Sequence, residues 1–240
     1  MKNSIFINKK ITSYNKKITV SSDKSISIRW ALIASQAIGK SKASNLLISE
    51  DVLSTLNCLK KLGIKMSLNK KKQTCEILGN GINGFNYKKN ITLNANNSGT
   101  LARLICGLLV RAKNKIRIIG DKSLSRRDFS RVTQPLNKFG VNFYPKFKNN
   151  LPLSIQGTDF LRPIQFEEKK GSAQVKSLLI FAAMNAPGTT IIRAKKSRDH
   201  TEKFLKYLKT PIKTIKKRNH DIIEISETKN INPINYKIPG

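Results

Sequence analysis

Residues 96–112 read NNSGTLARLICGLLVRA, and this stretch decides the fold because the chain repeats its design twice more. After a small, polar start, Leu101, Leu104, Ile105, Leu108, Leu109 and Val110 leave almost no polar face. A surface helix keeps a polar stripe, so a helix apolar on every side must be buried on every side. SDKSISIRWALIASQAIG at 22–39 and GSAQVKSLLIFAAMNAPG at 171–188 have the same character. Aligning Ser25, Ser98 and Ser172 spaces the copies 73 and 74 residues apart. Self-similarity at a fixed period marks a repeat architecture.

The segments after the apolar helices repeat too. Short β-rich runs come next: SNLLIS at 44–49, KIRIIG at 115–120 and TTIIRA at 189–194. Then Asp51, Asp128 and Asp199 each open an amphipathic helix with a narrower stripe, such as Phe129, Val132, Leu136 and Phe139. A helix breaker stands twelve residues beyond each aspartate, at Gly63, Gly140 and Pro211. Two further strand-like runs close each copy, as in IKMSLN at 64–69 with TCEILG at 74–79, and VNFYPKF at 141–147 with LPLSIQG at 151–157. The expected unit is helix, strand, helix, strand, strand. Three such units predict an inside-out α/β fold with pseudo-threefold symmetry, its buried helices surrounded by sheets and outer helices. Residues 21–240 would form this three-repeat domain. Residues 1–20 precede it, and their strand-like pieces, Ile5-Phe6-Ile7 and Ile18-Thr19-Val20, belong to no copy.

Composition narrows the classes. No run approaches 18 uninterrupted apolar residues, and MKNSIFINKK lacks the apolar core of a secretory signal. Cys58, Cys75 and Cys106 are few, widely spaced and set in apolar patterns, so they read as small buried hydrophobes in a reducing compartment. The net charge of +32 would suit a nucleic-acid binder, but the lysines are spread along the chain and gather in turn-like stretches such as Lys70-Lys71-Lys72. That reads as a lysine-rich bias on solvated surfaces. Aromatic residues, at 7%, are too few for rows of base-stacking platforms.

If the three buried helices run parallel, their N-termini meet on one face, each with unpaired N–H groups and the positive end of a helix dipole. Those starts carry Ser25, Ser27, Asn97, Ser98, Gly99, Thr100, Ser172 and Gln174. Alone, any of these is better read as a cap. Cations at equivalent places, Lys24, Arg29, Arg103 and Lys176, turn the group toward phosphate and carboxylate binding. Arg127 and the pair Ser197-Arg198 add to it at the starts of the second helices. Arg29 and Arg103 lie one turn inside buried helices, so each meets either an internal acceptor or a ligand. The ligand is the favoured answer for Arg29 and the internal acceptor for Arg103. Gly39-Lys40-Ser41 is not a P-loop, because Ala34 stands where that loop needs glycine; it reads as a helix stop. His200, with no nucleophile beside it, reads as structural.

The runs DKSISIRWALIAS, NNSGTLARL, GDKSLSRRDFSRVTQPL, SAQVKSLLIFA and SRDHTE, in this order, resemble the 5-enolpyruvylshikimate-3-phosphate (EPSP) synthases, and the resemblance extends from about Val20 to Gly240. SAQVKS and SRDHTE look like the branch called class II. The resemblance implies transfer of the enolpyruvyl group of phosphoenolpyruvate to the 5-hydroxyl of shikimate 3-phosphate, with loss of phosphate and no metal or organic cofactor. It implies a cytoplasmic enzyme of the shikimate pathway to aromatic amino acids, monomeric when complete, with small-molecule partners and neither membrane nor specific nucleic acid. Carried over by position, Lys24 touches both substrates and is the catalytic residue. Ser25 and Arg29 hold the shikimate moiety. Asn97, Gly99 and Arg127 line the phosphoenolpyruvate pocket, where glyphosate competes in this family, and Thr100 is a further substrate-binding residue. Ser172, Ala173, Gln174, Ser197 and Arg198 surround shikimate 3-phosphate. Ser22, Ile28, Asn96 and Asp128 depart from the family wording, and Ser22 and Asn96 are expected to crowd the anion site. Relatives have two such domains, so the chain is expected to be the N-terminal half, with residues 1–20 belonging to the other domain and no turnover by itself. The rivals are a UDP-N-acetylglucosamine enolpyruvyl transferase, which lacks the SAQVKS and SRDHTE wording, and a basic nucleic-acid-binding module.

Overall fold

Three helices carry the core. In the computed structural model, which describes residues 6, 8–10, 12, 13, 15, 18, 20–146 and 149–240, these are α1 (Lys24–Ser35), α3 (Gly99–Leu108) and α6 (Ala173–Ala183). Every apolar residue that singles out residues 96–112 is at most 2% exposed. Each helix has a side-chain cap: Asp23 accepts from the Ile26 N–H, Ser98 from Leu101 and Ser172 from Val175. The structural repeat therefore aligns Asp23, not Ser25, with Ser98 and Ser172. Ser25 is the second residue of its helix, because the aspartate-led turn of copy one starts two residues earlier.

Around the helices stand three four-stranded sheets of one design. The first has the order β12 (Asn235–Lys237), β1 (Ile38–Ser44), β3 (Thr74–Asn80), β2 (Lys65–Asn69). The second runs β4 (Thr92–Asn94), β5 (Ile116–Ile119), β7 (Leu153–Gln156), β6 (Asn142–Tyr144). The third runs β8 (Gln165–Glu168), β9 (Thr189–Lys195), β11 (His220–Ser226), β10 (Ile212–Lys216). In each, the first pair is parallel and the other two antiparallel. The pseudo-threefold α/β arrangement expected from the repeat is present.

The outer helices are α2 (Glu50–Lys61), α5 (Ser130–Phe139) and α7 (His200–Tyr207), with a short α4 (Lys122–Ser125) before α5. Each leans on the edge strand of the next sheet. Cys58 Sγ of α2 contacts the Asn94 carbonyl of β4, Arg131 of α5 pairs with Glu168 of β8 at 3.0 Å, and Phe204 of α7 meets the Tyr236 ring of β12 at 4.9 Å. The ring closes because the end of the chain supplies the edge strand of the first sheet. There Lys42 aligns with Asn235, and Trp30 Nε1 of α1 donates to the Ile234 carbonyl at 3.3 Å.

Several expectations need correction. The unit has a sixth element, an edge strand after the other two closing strands of each copy, that pattern reading missed: TLN, QFEE and NYK are too short and too polar to register. The strand after α1 is Ile38–Ser44, not SNLLIS. Its lysines face water, and its buried positions are Ser41 and Ala43, so it has no apolar signature. Gly39-Lys40-Ser41 accordingly lies inside β1 and is not a helix stop; Gln36 caps α1. Asp51 sits within the first turn of α2, Asp128 two residues before α5 and Asp199 at the cap of α7, so only the last is a true start. Of the strand-like pieces before residue 21, Ile5, Ile7 and Thr19 lie outside the described residues, whereas Phe6, Ile18 and Val20 are exposed and in no strand.

Candidate anion-binding site at three helix N-termini

The N-termini of α1, α3 and α6 are tied to one another by side chains. Gln174, in the first turn of α6, donates from Nε2 to Thr100 Oγ1 of α3 at 2.9 Å. Its Oε1 accepts from Arg103 Nη1 of α3 at 3.2 Å. Arg29 of α1 reaches the same turn of α6, donating from Nη2 to the Ala173 carbonyl at 3.5 Å and to Ser177 Oγ at 3.1 Å. Two helices that exchange bonds between their first turns must begin side by side. The dipoles therefore converge, as the sequence predicts.

Arg29 is 3% exposed, and burial pushes its guanidinium down to about 10. Besides the two bonds to α6, it donates from Nε to Thr201 Oγ1 at 2.9 Å and from Nη1 to the Ser25 carbonyl at 3.2 Å. These account for four of its five hydrogens. No carboxylate lies within ion-pair distance of it among the described residues, so Glu202 and Asp23 offset its charge only from farther away and the fifth hydrogen is left for an anion. Arg103 finds the internal acceptors expected of it, Gln174 and the Gly99 carbonyl at 3.1 Å, and its guanidinium lies over the Phe129 ring at 5.0 Å. Burial, then repulsion from Arg127 and Arg131, lowers its ordinary value.

Gly99 opens α3 where Arg103 and Arg127 meet. A Cβ at this position would come within 2.7 Å of Arg103 Nη1 and 3.0 Å of Arg127 Nη1. Arg127 is exposed and donates from Nη2 to Asn97 Oδ1 at 3.4 Å; Asn97 in turn donates to Asp121 Oδ2 at 2.6 Å. Lys24 begins α1 and pairs with Asp51 of α2 at 2.6 Å while half exposed. Ser172 caps α6 and donates its N–H to Glu168 Oε2 at 2.9 Å. On the remaining side, before α7, Arg198 is exposed and Ser197 Oγ is buried without a partner among the described residues. Arg198 lies near enough to weaken both Arg29 and His200 as bases.

Two expectations change here. Lys176 is not one of the cations of the cleft: it is fully buried, and its Nζ lies 2.6 Å from Glu202 Oε1 of α7. Burial pushes the Glu202 carboxyl up, against the pull of Lys176. Asn96 does not crowd the site either. Its φ of 48° is the left-handed conformation that glycine adopts freely and asparagine tolerates, and its side chain turns away to Ser54 Oγ at 2.8 Å. Ile28 is core, and Asp128 is occupied by the Ser130 N–H at 2.8 Å. Pattern reading missed Ser177 and Thr201, which hold Arg29, and Asp121, which holds Asn97. All three lie inside the family-like runs, but no spacing rule predicts contact across 172 residues. The three thiols are buried and pushed up, to about 12 for Cys58 and Cys106 and about 11 for Cys75, so none is a nucleophile.

The site thus offers helix dipoles, open N–H groups and guanidinium groups to small multivalent anions. A model of the EPSP synthase family (3-phosphoshikimate 1-carboxyvinyltransferase) matches residues 8–240. The chain is 38% identical over 229 residues to the 3-phosphoshikimate 1-carboxyvinyltransferase of Caldicellulosiruptor saccharolyticus, covering 93% of this chain and 51% of the relative. It is 39% identical over 232 residues to that of Petrotoga mobilis, covering 94% and 52%. The EPSP synthase structure from Acinetobacter baumannii superposes with a TM-score of 0.85 at 31% identity, over 93% of this chain and 49% of that one. The enolpyruvyl transferase NikO from Streptomyces tendae shares the fold, with a TM-score of 0.67 at 10% identity over 94% and 52%. The chain spans about half the length of the curated relatives it matches. On its motifs, its threefold architecture and these relationships, the chain belongs to the EPSP synthase family.

Proposed function

We propose that this chain supplies one wall of an enolpyruvyl transfer site in the cytoplasm, working on phosphoenolpyruvate and shikimate 3-phosphate and on neither nucleic acid nor membrane. The convergence of three helix N-termini with Arg29, Arg103 and Arg127 carries the reading. Two substrates that each bring a phosphate and a carboxylate need such a cluster. In the reaction the 5-hydroxyl gives up its proton as its oxygen adds to C2 of phosphoenolpyruvate, while C3 takes a proton. The tetrahedral intermediate then loses a C3 proton and inorganic phosphate, restoring the double bond as an enol ether. Lys24, held by Asp51 at 2.6 Å, faces both substrates. Asn97, Gly99, Thr100 and Arg127 hold phosphoenolpyruvate; Ser25, Arg29, Ser172, Ala173, Gln174, Ser197 and Arg198 hold shikimate 3-phosphate. Fixed cations around the reacting carbons stabilise charge that develops there.

Proton transfer needs a free acid or base, and the carboxylates around these helix starts are engaged. Asp23, Asp121 and Asp128 accept backbone N–H groups, Asp51 pairs with Lys24, Asp199 with Lys203, Glu168 with Arg131 and Glu202 with Lys176. The 240-residue chain should therefore bind substrate and release no phosphate by itself, residues 21–240 forming one substrate-binding domain of a two-domain enzyme. Calorimetry with shikimate 3-phosphate and a phosphate-release assay test both halves of this reading. Absence of binding removes the first; turnover by the chain alone removes the second. Within the two-domain protein, Arg127→Ala should weaken phosphoenolpyruvate binding by roughly 2–5 kcal/mol, and an unchanged affinity would count against its place in the site.

A further inference from the structure

Lys176 and Glu202, at 0% and 5% exposure, form the one ion pair among the described residues with both partners buried, and the anion cleft does not use it. They join α6 to α7 at 2.6 Å, and neither Lys176 Nζ nor either Glu202 oxygen has a further hydrogen-bond partner among the described residues. Desolvation offsets most of the attraction in such a pair, so it adds little net stability; its worth is geometric. Its location shows what geometry it sets. Lys176 precedes Ser177, and Glu202 comes directly after Thr201. Thr201 Oγ1 donates to Ser177 Oγ at 2.7 Å, and Ser177 Oγ donates to the Ala173 carbonyl at 2.7 Å. Both hydroxyl protons are thereby used, and the remaining lone pairs of both oxygens accept from Arg29, at 2.9 and 3.1 Å. This arrangement holds only while α6 and α7 keep their present separation and rotation.

We propose that the Lys176–Glu202 pair is a positioning clamp: it locks the first turn of α7 against α6, and so aims Arg29 and the Ser197-Arg198 segment at the shikimate 3-phosphate side of the cleft. The clamp joins the SAQVKS and SRDHTE motifs, which each contribute one partner, next to the Thr201–Ser177 hydrogen bond between the same motifs. This inference rests on the reading of the cleft as a shikimate 3-phosphate site.

The test replaces the pair by apolar side chains of similar size, Lys176→Met with Glu202→Leu, in the 240-residue chain. Removing both charges also removes the desolvation cost, so the melting temperature should stay near that of the parent. Affinity for shikimate 3-phosphate should nevertheless fall about tenfold or more, as misplacement of binding groups demands. Amide hydrogen exchange at residues 200–204 should quicken about tenfold without ligand, while α3 exchanges as before. A folded double variant with parental affinity and exchange overturns the clamp. If the double variant does not fold, Glu202→Gln, which keeps the shape but removes the charge, is judged by the same two readouts. If the parent chain fails to bind shikimate 3-phosphate, the proposed function falls, and exchange at residues 200–204 alone decides the clamp.

Discussion

At the scale of single residues, the site depends on close approach. Gly99 is needed less for its backbone freedom than for the space it leaves. Gly99→Ala should push the two neighbouring guanidinium groups apart and weaken phosphoenolpyruvate binding about tenfold. Because those groups are the far ends of flexible side chains, the melting temperature should hardly move. Titration calorimetry and thermal melts on the two-domain protein would separate the two effects. His200 makes a different prediction. Burial, then the charge of Arg29, lowers its imidazole below the ordinary 6.5. The unfolded chain therefore binds this proton more readily than the folded one. Stability is lost as pH falls through the ordinary imidazole range, and regained above it. Melts between about pH 7.5 and 5.5 should show that slope, reduced in His200→Asn. The reading of Arg103 as internally satisfied was available from the sequence. That Lys176 sits away from the cleft was not, because a lysine at an equivalent repeat position looks the same whether its partner is a ligand or a glutamate from another helix.

At the scale of elements, α3 and α6 approach closely enough to touch through backbone. A Cβ on Gly107 would meet the Leu178 carbonyl at 2.4 Å and Phe181 Cβ at 3.0 Å. Gly107→Ala should force the helices apart and destabilise by about 1–3 kcal/mol, measured by urea unfolding. Because Gln174 spans these same helices at their N-termini, substrate affinity should weaken with it. The six longer helices were legible, since three apolar segments and three amphipathic ones leave few alternatives, whereas the four-residue α4 is too short for periodicity to mark. Strands were less so. The edge strands are three or four residues long, and β1 buries serine and alanine where a strand pattern calls for larger apolar residues.

At the scale of the molecule, the ring closes through its last residues. Ile231, Ile234 and Ile238 are buried, and β12 covers the edge of β1. Ending the chain at residue 228 would strip that edge and the core beneath Trp30. We expect loss of the cooperative transition in thermal melts and a rise in aggregation, as an uncovered sheet edge invites. A truncated chain with parental melting would show that closure is dispensable. No described helix is long and apolar enough to cross a membrane.

The sequence by itself determined that three like units exist, that each has a wholly apolar helix, and that cations and small polar residues gather where those helices begin. Periodicity and burial are local properties, written in every turn. Only the tertiary structure decided which cations reach the cleft, which strands border each sheet, and how the end of the chain returns to its first sheet. Those outcomes turn on contacts between residues far apart in the chain, where the partner of a charge or of a strand edge is set by packing and carries no mark in its neighbours.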